Sequence, residues 1–169
     1  FDGKMINLRV DTVLLPGEKK ATREIVEHPG AVAIVPITED NKIVMVKQFR
    51  KPVDSILLEI PAVKIDKNEK PLTCAIRELK EETGYESSQW EELHWLYANP
   101  AYQNNKGYFF LAENVKKTAE PNLDDDEEIS NIKFESEEKV KEYMRGGQIR
   151  HSIIFCALTS YFMRKYAIL

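Results

Sequence analysis

Apolar and polar residues alternate along the first 30 positions of the chain. The stretch 5–13 alternates in this way, Pro16 and Gly17 interrupt the pattern, and 21–27 resumes it. A period of two residues is typical of a β-strand with one buried face, and a Pro-Gly pair is typical of a turn. The pattern therefore predicts an antiparallel hairpin at the N-terminus.

Later segments are short apolar runs of strand length. Six such runs are found at 31–37, 43–49, 56–61, 93–97, 108–112 and 129–134. The first two are almost uninterrupted, which is typical of strands buried on both faces of a sheet. We expect these runs to form one sheet.

Three segments have the period of a helix instead. The clearest is 71–84, where Pro71 suits a first helical turn and Gly84 is a typical stop. The segments 135–145 and 152–167 also predict helices. Together the patterns predict an α/β (α+β) fold: a mixed β-sheet between helices, with an antiparallel β extension at the N-terminus.

Composition limits the class of protein. The 169 residues are 43% hydrophobic and 31% charged, which suits one globular domain with a small appendage. No apolar run approaches the roughly 18 residues of a membrane span, and residues 1–4 do not resemble a signal sequence. A net charge of −4 argues against a main role in nucleic-acid binding. We expect a soluble, cytoplasmic protein that binds neither nucleic acid nor membranes.

The acidic residues are concentrated in two places, 69–92 and 120–138. In the first, Glu78, Glu81 and Glu82 fall within an arc of about 100° on a helix. Like charges at this spacing repel, and a hard divalent cation such as Mg²⁺ would turn the repulsion into binding. A solvated helix face fits the composition equally well.

The spacing around these glutamates decides between the two interpretations. Residues 63–85 resemble the Nudix box, G-x5-E-x7-R-E-U-x-E-E-x-G-U, in which U is a bulky apolar residue. Eight of its nine specified positions are matched, and Val63 stands in place of the first glycine. The chain is identified on this motif as a member of the Nudix hydrolase superfamily. Glu69, its first acid, is expected to stabilise the turn before the helix.

The resemblance implies a metal-dependent hydrolase of nucleoside diphosphates linked to another group. Glu78 and Glu82 would be the main Mg²⁺ ligands, with Mn²⁺ as a possible substitute. Glu81 would be a further ligand or would orient water, and the backbone carbonyl of Ala62 would be another ligand. Arg77 would position a carboxylate of this cluster rather than contact substrate. Screening of the phosphoryl charge by cations is what this chemistry requires.

Three further segments, 27–32, 46–50 and 57–62, resemble the bacterial ADP-ribose pyrophosphatase branch, as does the proline at position 100. That branch implies hydrolysis of ADP-ribose to AMP and ribose 5-phosphate. It also implies a homodimer in which N-terminal strands are exchanged and adenosine binds across the interface.

This resemblance divides the chain into an N-terminal β extension, 1–29, and a Nudix hydrolase domain, 30–169. Arg23 and Glu27 of the extension are then candidate substrate contacts.

Two candidate substrate contacts lie in the domain itself. Arg50 would bind phosphate or ribose, since an isolated arginine after an apolar strand suits bidentate phosphate binding. A surface charge that ends a strand is the alternative. Glu59 would lie near the metal site.

A mobile acidic loop of related pyrophosphatases supplies their general base. The corresponding run here is 124–128, in which Glu127 is the first candidate and Glu128 the second. An ordinary solvated loop is the alternative.

Two departures from the family pattern affect the functional interpretation. A glycine in a loop often has a positive φ, so we expect strain at Val63 and weaker metal binding or slower turnover. The loop 101–107 lacks the acidic residue usual in the branch. Hydrolysis of another nucleoside diphosphate sugar or a dinucleotide, and a degenerate module that binds a nucleotide or partner without turnover, therefore stay open. His28, His94 and His151 have no metal-ligand spacing and are expected to be structural.

Overall fold

The computed structural model describes residues 1–123 and 129–168, with Ser130 described by its backbone alone. Within these residues the chain forms ten β-strands and three α-helices. The strands are β1 Asn7–Leu14, β2 Lys20–Glu27, β3 Ala31–Thr38, β4 Lys42–Arg50, β5 Ser55–Glu59, β6 Ala62–Lys64, β7 Tyr85–Glu86, β8 Gln89–Tyr97, β9 Lys106–Lys117 and β10 Ile129–Ser136. The helices are α1 Pro71–Thr83, α2 Glu137–Arg145 and α3 Ser152–Tyr166.

The N-terminal strands β1 and β2 form a separate antiparallel pair, as predicted. Leu14 pairs with Lys20, and the turn between them contains Gly17 and Glu18, both with positive φ. Glycine adopts this left-handed conformation without steric cost. The predicted hairpin is confirmed.

The other eight strands form one mixed sheet in which β3 lies at the centre. Its backbone order is β10-β4-β3-β9-β7, with β5 on β4, β6 on β3 and β8 on β9. The pairing of β3 with β9 is parallel, whereas the other pairings in this sheet are antiparallel. This mixed sheet confirms the predicted fold class.

Helices cover both faces of the sheet and explain the uninterrupted apolar run of β3. Ala33 and Val35 pack in a cluster with Ile154 of α3. Val32 and Ile34, which point the opposite way, pack with Leu79 of α1. Alternate residues of a strand face opposite sides of the sheet, so burial on both sides requires apolar residues throughout.

The structure differs from the predicted elements at β6, at β7 and at the start of α2. The strands β6 and β7 were not predicted because two or three residues show no period. The helix predicted over 135–145 begins at Glu137, since Glu135 and Ser136 still pair with β4. In the described part of the chain, no helix is both long and apolar enough to cross a membrane.

The expected strain at Val63 is wrong. Val63 lies in β6, pairs with Val32 of β3, and is not among the described residues with positive φ. Its half-buried side chain packs on the cluster that includes Leu79. A β-branched residue suits this extended backbone, so the missing glycine causes no backbone strain here.

Candidate active site

Helix α1 presents glutamates as part of its buried surface. Pro71 begins the helix, and Gly84 ends it with a φ of 75° and a backbone N–H that donates to the Lys80 carbonyl at 2.7 Å. Glu78 and Glu82 are one turn apart and only 6% and 1% exposed. Carboxylates are rarely so deeply buried unless they are paired or bind cations. The alternative of a solvated helix face therefore does not apply to these two residues.

The side chain of Arg77 contacts four carboxylates, two on this helix and two in the segment before it. Its Nε and Nη2 donate to the two carboxylate oxygens of Glu69 at 3.1 and 2.9 Å. Its Nη1 donates to Glu78 Oε1 at 2.5 Å and to Glu81 Oε2 at 2.7 Å. Asp66 lies 3.6 Å from Nη2. Arg77 thus contacts Glu78 and Glu81, two of the three glutamates that the sequence marks as metal ligands.

The pKa values of this cluster reflect the same contacts. Hydrogen bonds from Arg77 hold the pKa of Glu69 below its usual value, against the opposing effect of burial. The carboxylate of Glu69, followed by Glu81 and Glu78, raises the pKa of Arg77. Both groups are therefore charged at neutral pH. Glu69 also joins the turn before α1 to the helix through this bidentate pair.

The donor atoms fit a hard divalent cation by type. Glu78, Glu81 and Glu82 have carboxylate oxygens and Ala62 has a backbone carbonyl oxygen, and oxygen is the ligand type that Mg²⁺ prefers. Within residues 1–123 and 129–168, however, no three His, Cys, Asp or Glu side chains are already arranged to hold a metal ion. Arg77 takes one oxygen each of Glu78 and Glu81. A bound cation must use their second oxygens or turn these side chains away from Arg77.

A cleft of about 450 Å³ opens beside α1. Its lining includes Ala62 and Glu78, which are candidate metal ligands, together with Val63. Arg50 and His151 also line it. Glu81 and Glu82 are not part of the lining. The cleft therefore brings together four of the predicted site residues, Arg50, Ala62, Arg77 and Glu78.

A second charged cluster lies at this cleft, centred on Glu59 at the end of β5. The Glu59 side chain is 0% exposed. Arg50 donates to it through Nε and Nη2, at 3.2 Å to Oε1 and 2.6 Å to Oε2. His151 Nδ1 lies 3.0 Å from Oε1. The register of β4 and β5, which pairs Arg50 with Ser55, places Arg50 and Glu59 on neighbouring strands.

The carboxylate of Glu59 is ionised despite its burial. Burial alone raises its pKa, but the hydrogen bonds from His151 and then Arg50 outweigh it, and the pKa falls below the usual value. A buried carboxylate with two such partners is a rigid anchor for both side chains. Glu59 therefore acts on the cleft through Arg50 and His151.

Another histidine, His28, also lines the cleft. Its Nδ1 accepts a hydrogen bond from the backbone N–H of Gly30 at 3.1 Å. Burial, followed by the positive charge of Lys64, lowers the pKa of His28, whereas Asn105 raises it. The ring is therefore neutral at physiological pH and serves partly to fix the turn into β3.

The loop after β8 contacts the end of the N-terminal hairpin. The backbone N–H of Val26 donates to the Tyr102 carbonyl at 2.8 Å, and the His28 N–H donates to Asn104 Oδ1 at 2.9 Å. Asn105 lines the cleft. The loop 101–107 has no acidic residue. Its polar groups bind the end of the hairpin, and Asn105 contributes to the cleft lining.

Two predicted substrate contacts, Arg23 and Glu27, are not part of the cleft lining. Arg23 is exposed on β2 and donates to the Thr22 carbonyl at 2.8 Å. Glu27 pairs with Arg9 at 2.9 Å. Their role as substrate contacts stays a prediction that depends on a dimer. Glu127, the predicted general base, and Glu128 lie outside the described residues.

His28 and His151 are cleft residues that sequence reasoning assigned to structure alone. Neither belongs to a local motif, and His151 is separated from Glu59 by 92 positions. Only the fold shows that the end of β5 and the start of α3 meet. The sequence around a single histidine at a helix start does not indicate which distant residue its side chain contacts.

Comparisons with known proteins agree with the geometry. A family model described as NUDIX domain matches residues 27–154. The ADP-ribose pyrophosphatase of Bacillus subtilis (strain 168) is 43% identical over 142 residues, which are 83% of this chain and 77% of that protein. The methanol dehydrogenase activator of Bacillus methanolicus has the same identity and coverage.

A more distant relative and a solved structure extend these comparisons. The ADP-ribose pyrophosphatase of Mycobacterium tuberculosis is 38% identical over 120 residues, covering 70% of this chain and 58% of that protein. A crystal structure of an ADP compounds hydrolase matches the whole of both chains with a TM-score of 0.77. Its sequence identity is 19%, so this likeness concerns the fold alone.

Proposed function

Because this chain belongs to the NUDIX family, we propose that it hydrolyses the diphosphate linkage of ADP-ribose, giving AMP and ribose 5-phosphate. The observation that supports this most is the cleft itself, where oxygen donors from α1 and β6 and the arginine of β4 lie around one space. Two of the relatives described above are ADP-ribose pyrophosphatases.

The reaction adds water across a phosphoanhydride. The water oxygen forms a bond to one phosphorus, the bond from that phosphorus to the bridging oxygen breaks, and the bridging oxygen leaves with the other phosphate. Negative phosphoryl oxygens repel an incoming hydroxide, so the reaction needs neutralisation of charge. Arg50, whose Nη1 is not used on Glu59, supplies a cationic donor for a phosphate.

Hydrolases of this family generally require a divalent metal ion. We propose Mg²⁺, with Mn²⁺ as a substitute, held by Glu78, Glu81, Glu82 and the carbonyl of Ala62. Such an ion would screen the phosphoryl charge and lower the pKa of bound water. Arg77 keeps Glu78 and Glu81 in place, and Glu127 is the proposed base that takes a proton from water.

Three further expectations belong to this proposal. We propose a homodimer that exchanges the N-terminal extension, with Arg23 and Glu27 reaching a partner's substrate. We also propose that the extension, 1–29, and the domain, 30–169, are distinct units, and that the protein acts in the cytoplasm. A sedimentation measurement that finds a compact monomer would contradict the exchange.

The test is direct. The purified protein is mixed with ADP-ribose and Mg²⁺, and AMP and ribose 5-phosphate are separated by anion-exchange chromatography. We expect both products in equal amounts, none after chelation of the metal, and a loss on the order of 10³-fold, about 4 kcal/mol of transition-state stabilisation, for Glu82→Gln. Glu92→Gln, which changes an exposed glutamate of β8, is the matched control and should keep full activity.

Other outcomes identify the alternatives. Turnover of another nucleoside diphosphate sugar or a dinucleotide, but not ADP-ribose, would replace the substrate and keep the chemistry. The absence of acid in the loop 101–107 favours testing these substrates. Tight ADP-ribose binding without product would identify a binding module that lacks turnover.

A further inference from the structure

His151 is held at the cleft by a contact that helix structure does not require. The residue is the N-cap of α3, yet its side chain makes no capping hydrogen bond to the helix. Instead, Nδ1 lies 3.0 Å from Glu59 Oε1, the oxygen that also accepts from Arg50 Nε. The side chain is 31% exposed and lines the cleft. Glu59 therefore sets the orientation of His151 and Arg50 together.

The bond to Glu59 assigns the two ring nitrogens. An ionised carboxylate has only acceptor oxygens, so Nδ1 must carry the hydrogen in this contact. In the neutral ring Nε2 then has a free lone pair and accepts hydrogen bonds. Arg50 presents only hydrogen-bond donors. Arg50 and His151 therefore offer opposite hydrogen-bonding groups to the cleft.

These characters match different parts of a nucleoside diphosphate sugar. The non-bridging oxygens of a diphosphate are acceptors and match the guanidinium of Arg50. They do not match an acceptor nitrogen. The hydroxyl groups of a sugar can donate, and they lie within a few bonds of the diphosphate.

We propose that His151 is a substrate-binding residue whose Nε2 accepts a hydrogen bond from a sugar hydroxyl, while Arg50 binds the adjoining phosphate. This inference rests on the proposed function, since it assumes a nucleoside diphosphate sugar in the cleft. Glu59 is then a positioning residue that holds both contacts. Recognition of the sugar depends on His151, and recognition of the diphosphate does not.

The test separates these two parts of the substrate. His151→Asn keeps an amide N–H near the position of Nδ1, and so the bond to Glu59, but has no atom near the position of Nε2. We expect its KM for ADP-ribose to rise about tenfold, the size of one lost hydrogen bond, with kcat within about twofold. The inhibition constant of inorganic diphosphate, which has no sugar, should not change. His94→Asn, an exposed histidine of β8, is the control and should behave as the wild type.

A second variant excludes a purely structural role. His151→Gln brings an amide close to the position of Nε2 but loses the bond to Glu59. A contact with substrate predicts a lower KM for His151→Gln than for His151→Asn, whereas a role confined to holding Glu59 predicts the reverse order. The reverse order, an unchanged KM in His151→Asn, or an equal weakening of inorganic diphosphate would overturn the proposal.

Failure of the proposal for His151 can be distinguished from failure of the proposed function. If the wild type releases no AMP, binding of ADP-ribose to the same variants is measured by calorimetry, and weaker binding to His151→Asn supports the inference without hydrolysis. If the wild type does not bind ADP-ribose, both proposals fail. If the wild type is active and His151→Asn has the same KM, only the inference on His151 fails.

Discussion

Two charged clusters at the cleft have opposite arrangements. At α1, one arginine, Arg77, joins several carboxylates. At the end of β5, one carboxylate, Glu59, joins an arginine and a histidine. The first cluster concentrates negative charge, which suits cations, and the second presents donors and an acceptor, which suits the phosphate and sugar of a substrate. The contrast suggests that the cleft separates metal binding from substrate recognition.

The largest effect is expected from weakening the α1 cluster. Arg77→Lys keeps the positive charge but cannot bond Glu69, Glu78 and Glu81 at once, because lysine lacks the planar fork of arginine. Groups that orient metal ligands typically contribute 10–100-fold to metal affinity or activity. We expect the activity of Arg77→Lys to fall by that factor and to recover partly at high Mg²⁺, as measured by titration of the metal in the ADP-ribose assay.

The control for this prediction changes an arginine in an exposed carboxylate pair. Arg164 donates to Glu91 at 2.6 Å on the surface, away from the cleft. Arg164→Lys should keep the metal dependence of the wild type. Equal metal dependence in Arg77→Lys and the wild type would show that Arg77 does not position the glutamates for metal.

The two clusters also differ in how far the sequence predicts them. Arg77, Glu78 and Glu81 lie within two turns of one helix, so local spacing is enough to bring them together. Arg50, Glu59 and His151 come from two strands and a helix start, and no local period links them. Sequence reasoning named Arg50 and Glu59 through family resemblance and gave His151 no function.

The same distinction holds for the fold. The long strands and α1 were predicted because their periods extend over five or more residues and end at clear stops such as Gly84. The short strand β6 was not predicted, because three residues show no period. The position of Val63 in that strand, and hence its ordinary backbone, depends on pairing with β3. That pairing is a long-range contact that local pattern does not specify.

The second cluster can be weakened through its central carboxylate. Glu59→Gln keeps the shape but removes the charge that holds Arg50 and His151. We expect the free energy of unfolding at pH 7 to fall by about 2 kcal/mol, the usual size for hydrogen bonds to a charged group, as measured by urea denaturation. Glu24→Gln, an exposed glutamate of β2, should change it by less than about 0.5 kcal/mol.

The pH dependence of the stability difference between wild type and Glu59→Gln gives a sharper test. The pKa of Glu59 is lower in the folded chain than the ordinary value, which is about 4.3 in the unfolded chain. The contribution of the Glu59 carboxylate to the free energy of unfolding is therefore complete above its unfolded pKa. It is lost as pH falls through the lower folded pKa. The stability curves of wild type and Glu59→Gln should converge with acidification. A constant difference down to the acid transition would mean that Glu59 does not contribute through its charge.

The smallest effect is expected at Val63, which is part of the cleft lining. Val63→Gly restores the glycine of the motif, but Val63 has no positive φ, so no backbone strain is relieved. Loss of the half-buried side chain and the greater freedom of glycine should lower the free energy of unfolding by about 1 kcal/mol. We expect kcat/KM for ADP-ribose to stay within about threefold.

Val10→Gly supplies the comparison, since Val10 also lies in a strand but is 62% exposed and outside the cleft. Both variants lose a valine from a strand. The difference between their free energies of unfolding, measured by thermal denaturation, therefore gives the contribution from packing of Val63 against the cluster that includes Leu79. A tenfold or larger gain in activity in Val63→Gly would contradict this prediction. It would show that the valine side chain restricts the cleft even though its backbone is relaxed.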